Sequence, residues 1–502
     1  MLRHPTLGKL RGLESPLTIQ YRNLPYAQFN GRFREASIRD DPVSVDDAVY
    51  DATQWGPLCP QIPDGINFDF ALAGAELPYT KRRIDEEHGL NAVVTVPKKH
   101  ADGKLLPVLV WVHGSSGFRR ALGETCYRLG ILGLLASKEL NSGGNFGLKD
   151  QILGFQWLQK HISGFGGDPN NITAFGESAG AMLLSTLLQL PTPLFKKAMV
   201  MSGSATLRPS KTEKQQEALY NDVVSALDLT EKSSEERKML LYEIPYEDMI
   251  AKLPPLIHVG PSVESRFLDD VVTLSTLSKS TSPSWCTEIV IGDCFHDATC
   301  FKTRILNKPN NAEYFIGCIN SVLVPEQAQN VIHAYSLSPL DSAETSLVKC
   351  IELLTDLRWY LPILYIDIGL EKTARAPKVS RYHFHQPNKF DCQWNGLAAH
   401  LFDITLLLQN HRHLLGQDAI RLGEEMADRV FSLAYGSGFV SKHEDDGSGN
   451  TVVVWGPDGA SKLLRREEYD AELRRGRGMV LLGLGPDVCE RLAGTIQFGS
   501  SR

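Results

Sequence analysis

No run of about 18 apolar residues occurs in this 502-residue chain, which argues against a membrane-spanning helix. No lysine- and arginine-dense block stands out. The formal net charge is −7, so a nucleic-acid or anionic-membrane surface is not expected. The first residues, MLRHPTLGKLRGLESPL, lack the apolar stretch of a secretory signal. Cysteine is sparse and unpatterned. The nine residues (Cys59, Cys126, Cys286, Cys294, Cys300, Cys318, Cys350, Cys392 and Cys489) form no C-x-x-C pair and their number is odd. That usage speaks against a disulfide or zinc framework and for free thiols in a reducing, cytoplasmic setting. Internal repeats and low-complexity tracts are also missing.

What is present is ordinary globular composition, 42% hydrophobic with 42 Gly and 27 Pro, enough for a large core. Short strand-like runs alternate with helix-like stretches. Val108 to Val112, Asn171 to Phe175, Lys197 to Gly203, Glu288 to Asp293 and Val379 to His385 read as strands, each ending near Gly, Asp or Pro. Leu148 to Ile162 reads as a helix with Ile152, Phe155, Trp157 and Leu158 toward one side. This alternation predicts an α/β fold with a mostly parallel central sheet flanked by helices, organised as one domain over residues 1–502. The helix-rich intervals of about 205–285 and 302–378 read as insertions between strands. Residues 441–462 read as a polar, Gly-rich loop flanking a short strand or hairpin.

Gly176, Ser178 and Gly180 stand in a G-x-S-x-G frame. With Gly this frequent, a chain of this length shows such a frame by chance about one time in four. Context makes it informative. A strand-like run precedes it and a helix-like run, AMLLSTLLQL, follows. That is the setting of a nucleophile elbow, where a sharp strand-to-helix turn exposes a serine hydroxyl above a sheet. Ala179 would then offer a backbone N–H to an oxyanion. Upstream, HGSSG follows the strand at Val108 to Val112. Its Ser115 and Ser116 backbone N–H groups are candidates for the rest of the oxyanion hole.

The segment NFGLKDQILGFQWLQKHISGFGGDPNNITAFGESAGA resembles the type-B carboxylesterase/lipase family, which includes the cholinesterases. N-x-G-L-x-D-Q, F-G-G-D-P-x-N-I-T and G-E-S-A-G occur in order at family spacing. The likeness extends over most of the chain, most closely to fungal, intracellular-type members. It implies an α/β-hydrolase fold, a serine carboxylic ester hydrolase acting on carboxylic, lipid, xenobiotic or secondary-metabolite esters, and no metal or organic cofactor. It also implies a Ser–acid–His triad in that chain order. IGDCFHDATCF puts Asp297 at the acid position, with Ala298 where Gly is usual and Asp where Glu is commoner; Asp293 is a competitor. AAHLFD puts His400 at the base position, three residues before Asp403. His383 and His385, on a strand-like run, read as structural.

Two departures from the family accompany this likeness. Cys59 stands where a disulfide often begins, but Gly89 occupies the partner's place, so that bridge cannot form. The segment between Gly117 and Tyr127 is too short to hold the apolar strand that family members insert beside Val108 to Val112. Three outcomes follow: a rearranged sheet with a substitute strand, a shortened translation, or a degenerate, poorly folding relative. The alternative function is therefore a catalytically impaired or non-catalytic binding member of the same fold.

Overall fold

The computed structural model describes residues 1–44, 48–62, 65–76, 81–99, 103–114, 126–254, 257–265, 267–277, 285–371, 377–441, 443–445, 450–474 and 476–499. The N-terminal part forms strands β1 (Leu2–His4), β2 (Gly8–Glu14), β3 (Thr18–Pro25), β4 (Ala27–Gln28), β5 (Ser37–Ile38), β6 (Val49–Ala52) and β7 (Asn91–Pro97). The order β1-β2-β3-β7 makes one small sheet, with β6 also on β2, while β4 and β5 pair alone. A larger sheet follows from β8 (Leu106–Val112), β9 (Gly167–Glu177), β10 (Lys197–Met201), β11 (Glu288–Cys294), β12 (Lys378–Phe384), β13 (Thr451–Trp455) and β14 (Ser461–Arg465). It runs β14-β13-β12-β11-β10-β9-β8 and is parallel except at the β13–β14 hairpin. All five strands expected from the sequence are present, and the polar region near 451–465 is that hairpin.

The parallel strands are apolar on both faces because helices cover both. Val110, Val112, Ile172, Ala174, Ala198, Val200, Ile289 and Ile291 face the helices Phe146–His161 and Ala179–Leu187. The alternate positions Trp111, Phe175, Met199, Met201 and Val290 face the helices Phe402–Leu407 and Gln417–Tyr435. The period-2 register of β-structure sends neighbours to opposite layers. Each fully buried side chain of this size contributes about 1.5–3 kcal/mol. Between β10 and β11 lie helices Glu213–Ala226, Ser234–Glu243, Tyr246–Lys252 and Leu274–Leu277. Between β11 and β12 lie Asn311–Val322, Pro325–Ala334, Ala343–Thr355 and Leu361–Glu371.

The shortened segment leaves its mark where β7 and β8 face one another. Among the described residues, β7 pairs in a sheet only with β3, and β8 only with β9. No strand among the described residues bridges them. A cavity of about 290 Å³ lies between the two edges, lined by Ala92 to Pro97 on one side and Leu106 to Val110 on the other. Val108 and Leu109 are only half-buried, and Phe431 and Tyr435, on the helix beneath, are exposed. At its other end the slot is closed. The Cys126 N–H donates to the Asn91 carbonyl (3.0 Å). The Tyr127 hydroxyl donates to the His113 carbonyl (2.6 Å), and the two rings stack at 4.4 Å. The gap therefore opens away from the ends of the strands where the candidate residues gather.

Candidate active site

The elbow forms because three glycines let backbones meet. A Cβ on Gly176 would come within 2.9 Å of the Val112 carbonyl, and one on Gly180 would run into that same carbonyl. A Cβ on Gly203 would sit 2.5 Å from the Ser178 carbonyl. Ser178 itself is held at φ 55° and ψ −119°, a conformation that costs a side-chain-bearing residue about 1–3 kcal/mol. The turn is pinned by the Ser178 N–H to the Met201 carbonyl (3.0 Å) and by the Met182 N–H to the Ser178 carbonyl (2.9 Å). The helix Ala179–Leu187 starts directly after it, so Ala179 lies at the positive end of the helix dipole. Gly114 abuts the elbow: a Cβ there would be 3.4 Å from the Ser178 Cβ. Ser115 and Ser116 lie outside the described residues.

Ser178, Asp297 and His400 come together from three separate strand ends. His400 Nε2 is 2.9 Å from Ser178 Oγ, and His400 Nδ1 is 2.6 Å from Asp297 Oδ1. The other Asp297 oxygen accepts the Cys294 N–H (2.9 Å). The His400 N–H donates to Thr299 Oγ1 (3.0 Å), which ties the histidine turn to the acid turn. Burial pushes the Asp297 carboxyl up from the usual aspartate range, while the His400 contact pulls it down. Asp293, the competing acid, is placed elsewhere. It pairs with the buried Arg474 (2.5 Å) and with His383 Nδ1. His383 stacks on Tyr469 at 3.9 Å, and His385 hydrogen-bonds the same tyrosine's hydroxyl (2.9 Å). Both histidines are thus structural, as their strand position suggests.

Several neighbours shape this site, of which only Asp403 was noted in the sequence. Glu177 carries a carboxyl at the end of the buried run 172–176, which is the signal that could have flagged it. Its Oε1 is 3.2 Å from His400 Nε2 without an aligned hydrogen bond. Burial, then the nearby Asp403, Asp297 and Asp69, push it well above the usual glutamate range. Asp403 is raised to about 6, by burial first and Asp297 second, and accepts the Tyr382 hydroxyl (3.0 Å). Trp359 stands edge-on to His400 at 6.0 Å and donates its Nε1–H to the Ser202 carbonyl (2.8 Å). Its place on a long insertion between β11 and β12 gave no sequence signal. Among the described residues no group of three or more His, Cys, Asp or Glu could hold a metal ion.

The sequence model described as "Carboxylesterase family" matches residues 2–120 and 124–457. The chain belongs to the carboxylesterase family. The break in the match falls within the shortened segment. Para-nitrobenzyl esterase of Bacillus subtilis is 34% identical over 221 residues, 39% of this chain and 42% of that protein. Lipase 3 of Yarrowia lipolytica is 33% identical over 37% of this chain and 42% of its own length. Mouse cholinesterase is 30% identical over 54% of this chain and 50% of its own length. The chain thus spans about half or less of the length of these curated relatives. Solved structures extend the likeness in fold. A PNB esterase superposes with a TM-score of 0.72 at 20% identity, covering 95% of this chain and 99% of its own. A Geobacillus stearothermophilus carboxylesterase gives the same TM-score at 22% identity. The carboxylesterase chain also explains Gly89: a Cβ there would lie 2.8 Å from Cys59 Sγ, so the two face each other and only one carries sulfur.

The family motifs around the elbow are structural props. Asn145 opens the helix Phe146–His161 in a left-handed conformation (φ 59°), and its side-chain amide exchanges two 2.8 Å hydrogen bonds with the Ser262 backbone. Asp150 on that helix grips Arg128 through Nε (2.8 Å), Nη2 (2.6 Å) and the backbone N–H (3.1 Å). This buried pair fixes the chain directly after Cys126 and Tyr127, which close the slot.

Proposed function

We propose that this chain hydrolyses carboxylic esters through an acyl-enzyme formed on Ser178. The observation that carries the reading is His400 bridging Ser178 Oγ at 2.9 Å and Asp297 at 2.6 Å. Asp297 holds the proton on Nδ1, leaving Nε2 free to take the Ser178 proton as Oγ attacks the ester carbonyl. The Ala179 N–H faces the developing oxyanion, with the Ser115 and Ser116 N–H groups completing the hole in the sequence order of an elbow enzyme. His400 then protonates the leaving alcohol and activates the water that clears the acyl group. The relatives' names, para-nitrobenzyl esterase and lipase, favour uncharged aromatic and lipid esters as first substrates to try. The nine thiols and the glycine facing Cys59 support a cytoplasmic address.

A non-catalytic binding role on the same fold is the second reading, favoured by the open slot between β7 and β8. Hydrolysis of p-nitrophenyl butyrate separates the two. The ester reading expects turnover that Ser178→Ala abolishes while the melting temperature is kept. A folded wild-type sample with no turnover above the Ser178→Ala background on short- and medium-chain esters would leave the binding reading.

A further inference from the structure

Most buried arginines elsewhere in this chain have a carboxylate, while Arg22 and Arg82 lie over the Trp55 ring. Arg128 has Asp150, Arg474 has Asp293 and Asp356, Arg477 has Glu352, and Arg381 has Asp367. Burying guanidinium without an anion is costly, so such pairing is the rule. Among the described residues one cluster has neither a carboxylate nor an aromatic ring for its guanidinium groups. Among the described residues no carboxylate lies within ion-pair distance of Arg208, Arg304 or Arg358. The sole side-chain hydrogen bond in that group is from Arg358 Nη2 to the Leu207 carbonyl (2.7 Å). The Arg358 Nε–H is buried with no partner. Among the described residues Glu490 is the carboxylate in electrostatic reach of Arg358, and it accepts the Leu274 N–H. His258 lies among all three arginines, with Lys211 also near, and its ring stands edge-on to Phe498 at 5.2 Å.

This cluster borders the triad. Arg208 follows the short turn Ala205–Leu207, just past Gly203, whose backbone abuts Ser178. Its guanidinium is in electrostatic reach of Arg304 and of Tyr127, the ring stacked on His113. Arg304 follows the acid turn Asp297–Phe301, and the Phe301 ring packs on Trp359 at 5.4 Å. Arg358 directly precedes Trp359, which faces His400. The Cys300 thiol is in electrostatic reach of Asp297, Glu177, Arg304 and Arg358. The cluster is open to solvent, with Arg304 exposed and Arg208 and Arg358 half-buried. A cationic cluster of this kind is notable on a chain whose net charge is −7.

We propose that Arg208, Arg304 and Arg358, with His258 among them, form a subsite for the carboxylate of an anionic ester lying beside the triad. The inference rests on the ester-hydrolase reading of Ser178 and narrows its substrate class. Guanidinium groups suit a carboxylate because their N–H donors match its two oxygens. Burial, then the neighbouring Arg304 charge, presses Arg208 down to about 10, and burial presses Arg358 to about 10, a penalty that an incoming anion relieves. His258, pushed to about 3 by burial and by the surrounding cations, is neutral at working pH and supplies a ring N–H without adding charge.

Matched ester pairs test this. On the acyl side, mono-p-nitrophenyl adipate is compared with p-nitrophenyl hexanoate. On the alcohol side, 4-acetoxybenzoate is compared with its methyl ester. The expected result is a kcat/KM ratio favouring the anion by about ten-fold or more on one side at low salt, the scale of one charge-assisted hydrogen bond. That ratio falls toward one in 0.5 M NaCl and in the Arg208→Gln/Arg304→Gln double variant, and it inverts in Arg304→Glu. A wild-type ratio at or below one on both sides overturns the proposal, as does a ratio that the folded double variant leaves unchanged. If the double variant does not melt cooperatively, the wild-type salt titration and Arg304→Glu decide. If the wild type cleaves none of the four esters, the ester reading itself has failed. The subsite is then judged by calorimetry of adipate binding to Ser178→Ala, where salt-sensitive binding supports it and no binding overturns it.

Discussion

Replacing Asp297 by Asn changes one atom of the site and should switch off its base. In the native arrangement one Asp297 oxygen accepts the Cys294 N–H at 2.9 Å and the other accepts the His400 Nδ1–H at 2.6 Å. An asparagine keeps only one oxygen. The Cys294 N–H is a fixed backbone donor on a fully buried strand end, so that oxygen stays with it, and the amide NH2 turns toward His400. Nδ1 must then accept, the ring proton moves to Nε2, and Nε2 can no longer take the Ser178 proton. A wrong-tautomer base of this kind costs about 10³- to 10⁴-fold in kcat, roughly 4–5.5 kcal/mol of barrier. The fold should survive, since a neutral amide replaces a charge whose burial was unfavourable. The assay is p-nitrophenyl butyrate hydrolysis with a melting curve on the same sample. Asp293→Asn is the control: it strips a buried partner from Arg474 and should destabilise by about 3–5 kcal/mol, while the folded fraction keeps its turnover per Ser178. A folded Asp297→Asn retaining more than a tenth of wild-type activity, with Asp293→Asn inactive though folded, would refute the assignment of the acid.

Three further outcomes are expected. Asp403 is raised from 3.8 to about 6, so the folded state holds its proton more tightly than the unfolded state does. Its favourable contribution is complete below about pH 4 and is lost as the pH rises through 6, about 3 kcal/mol in all. Asp403→Asn should flatten the wild-type decline in melting temperature across that window, and an unchanged slope would count against it. Gly180→Ala places a methyl against the Val112 carbonyl; the overpacking costs about 1–3 kcal/mol and should lower both the melting temperature and turnover, whereas native stability would show the elbow to be looser than described. Hydrogen exchange should find the slot-facing amides of β7 and β8 exchanging far faster than those of β10 and β11, which are paired on both sides; equal protection would mean that the slot is filled in solution.

Much of this layout is legible in the sequence. The parallel strands announce themselves as short apolar runs because both of their faces are buried, and the elbow is marked by glycines whose Cα atoms touch neighbouring backbone. Asp297 and His400 come from the family likeness; nothing local to either residue distinguishes it from other loop Asp or His residues. The family pattern placed the acid at Asp297 rather than Asp293; what occupies Asp293 instead was beyond the sequence, since it is Arg474, 181 residues away. The shortened segment showed that a strand was lacking, but whether another segment would fill its place is decided by packing. Among the described residues no strand fills it. Trp359 and the cations beside it lie in insertions whose helical periodicity reports only which face is apolar.

The central claim is that Ser178 is a nucleophile held ready by His400. It is tested most directly by mass spectrometry after treatment of the folded protein with a fluorophosphonate. The account predicts a single stoichiometric adduct on the peptide containing Ser178, absent in Ser178→Ala and much slowed in Asp297→Asn. No adduct on a cooperatively melting wild-type sample, or an adduct on another residue that persists in Ser178→Ala, would contradict it.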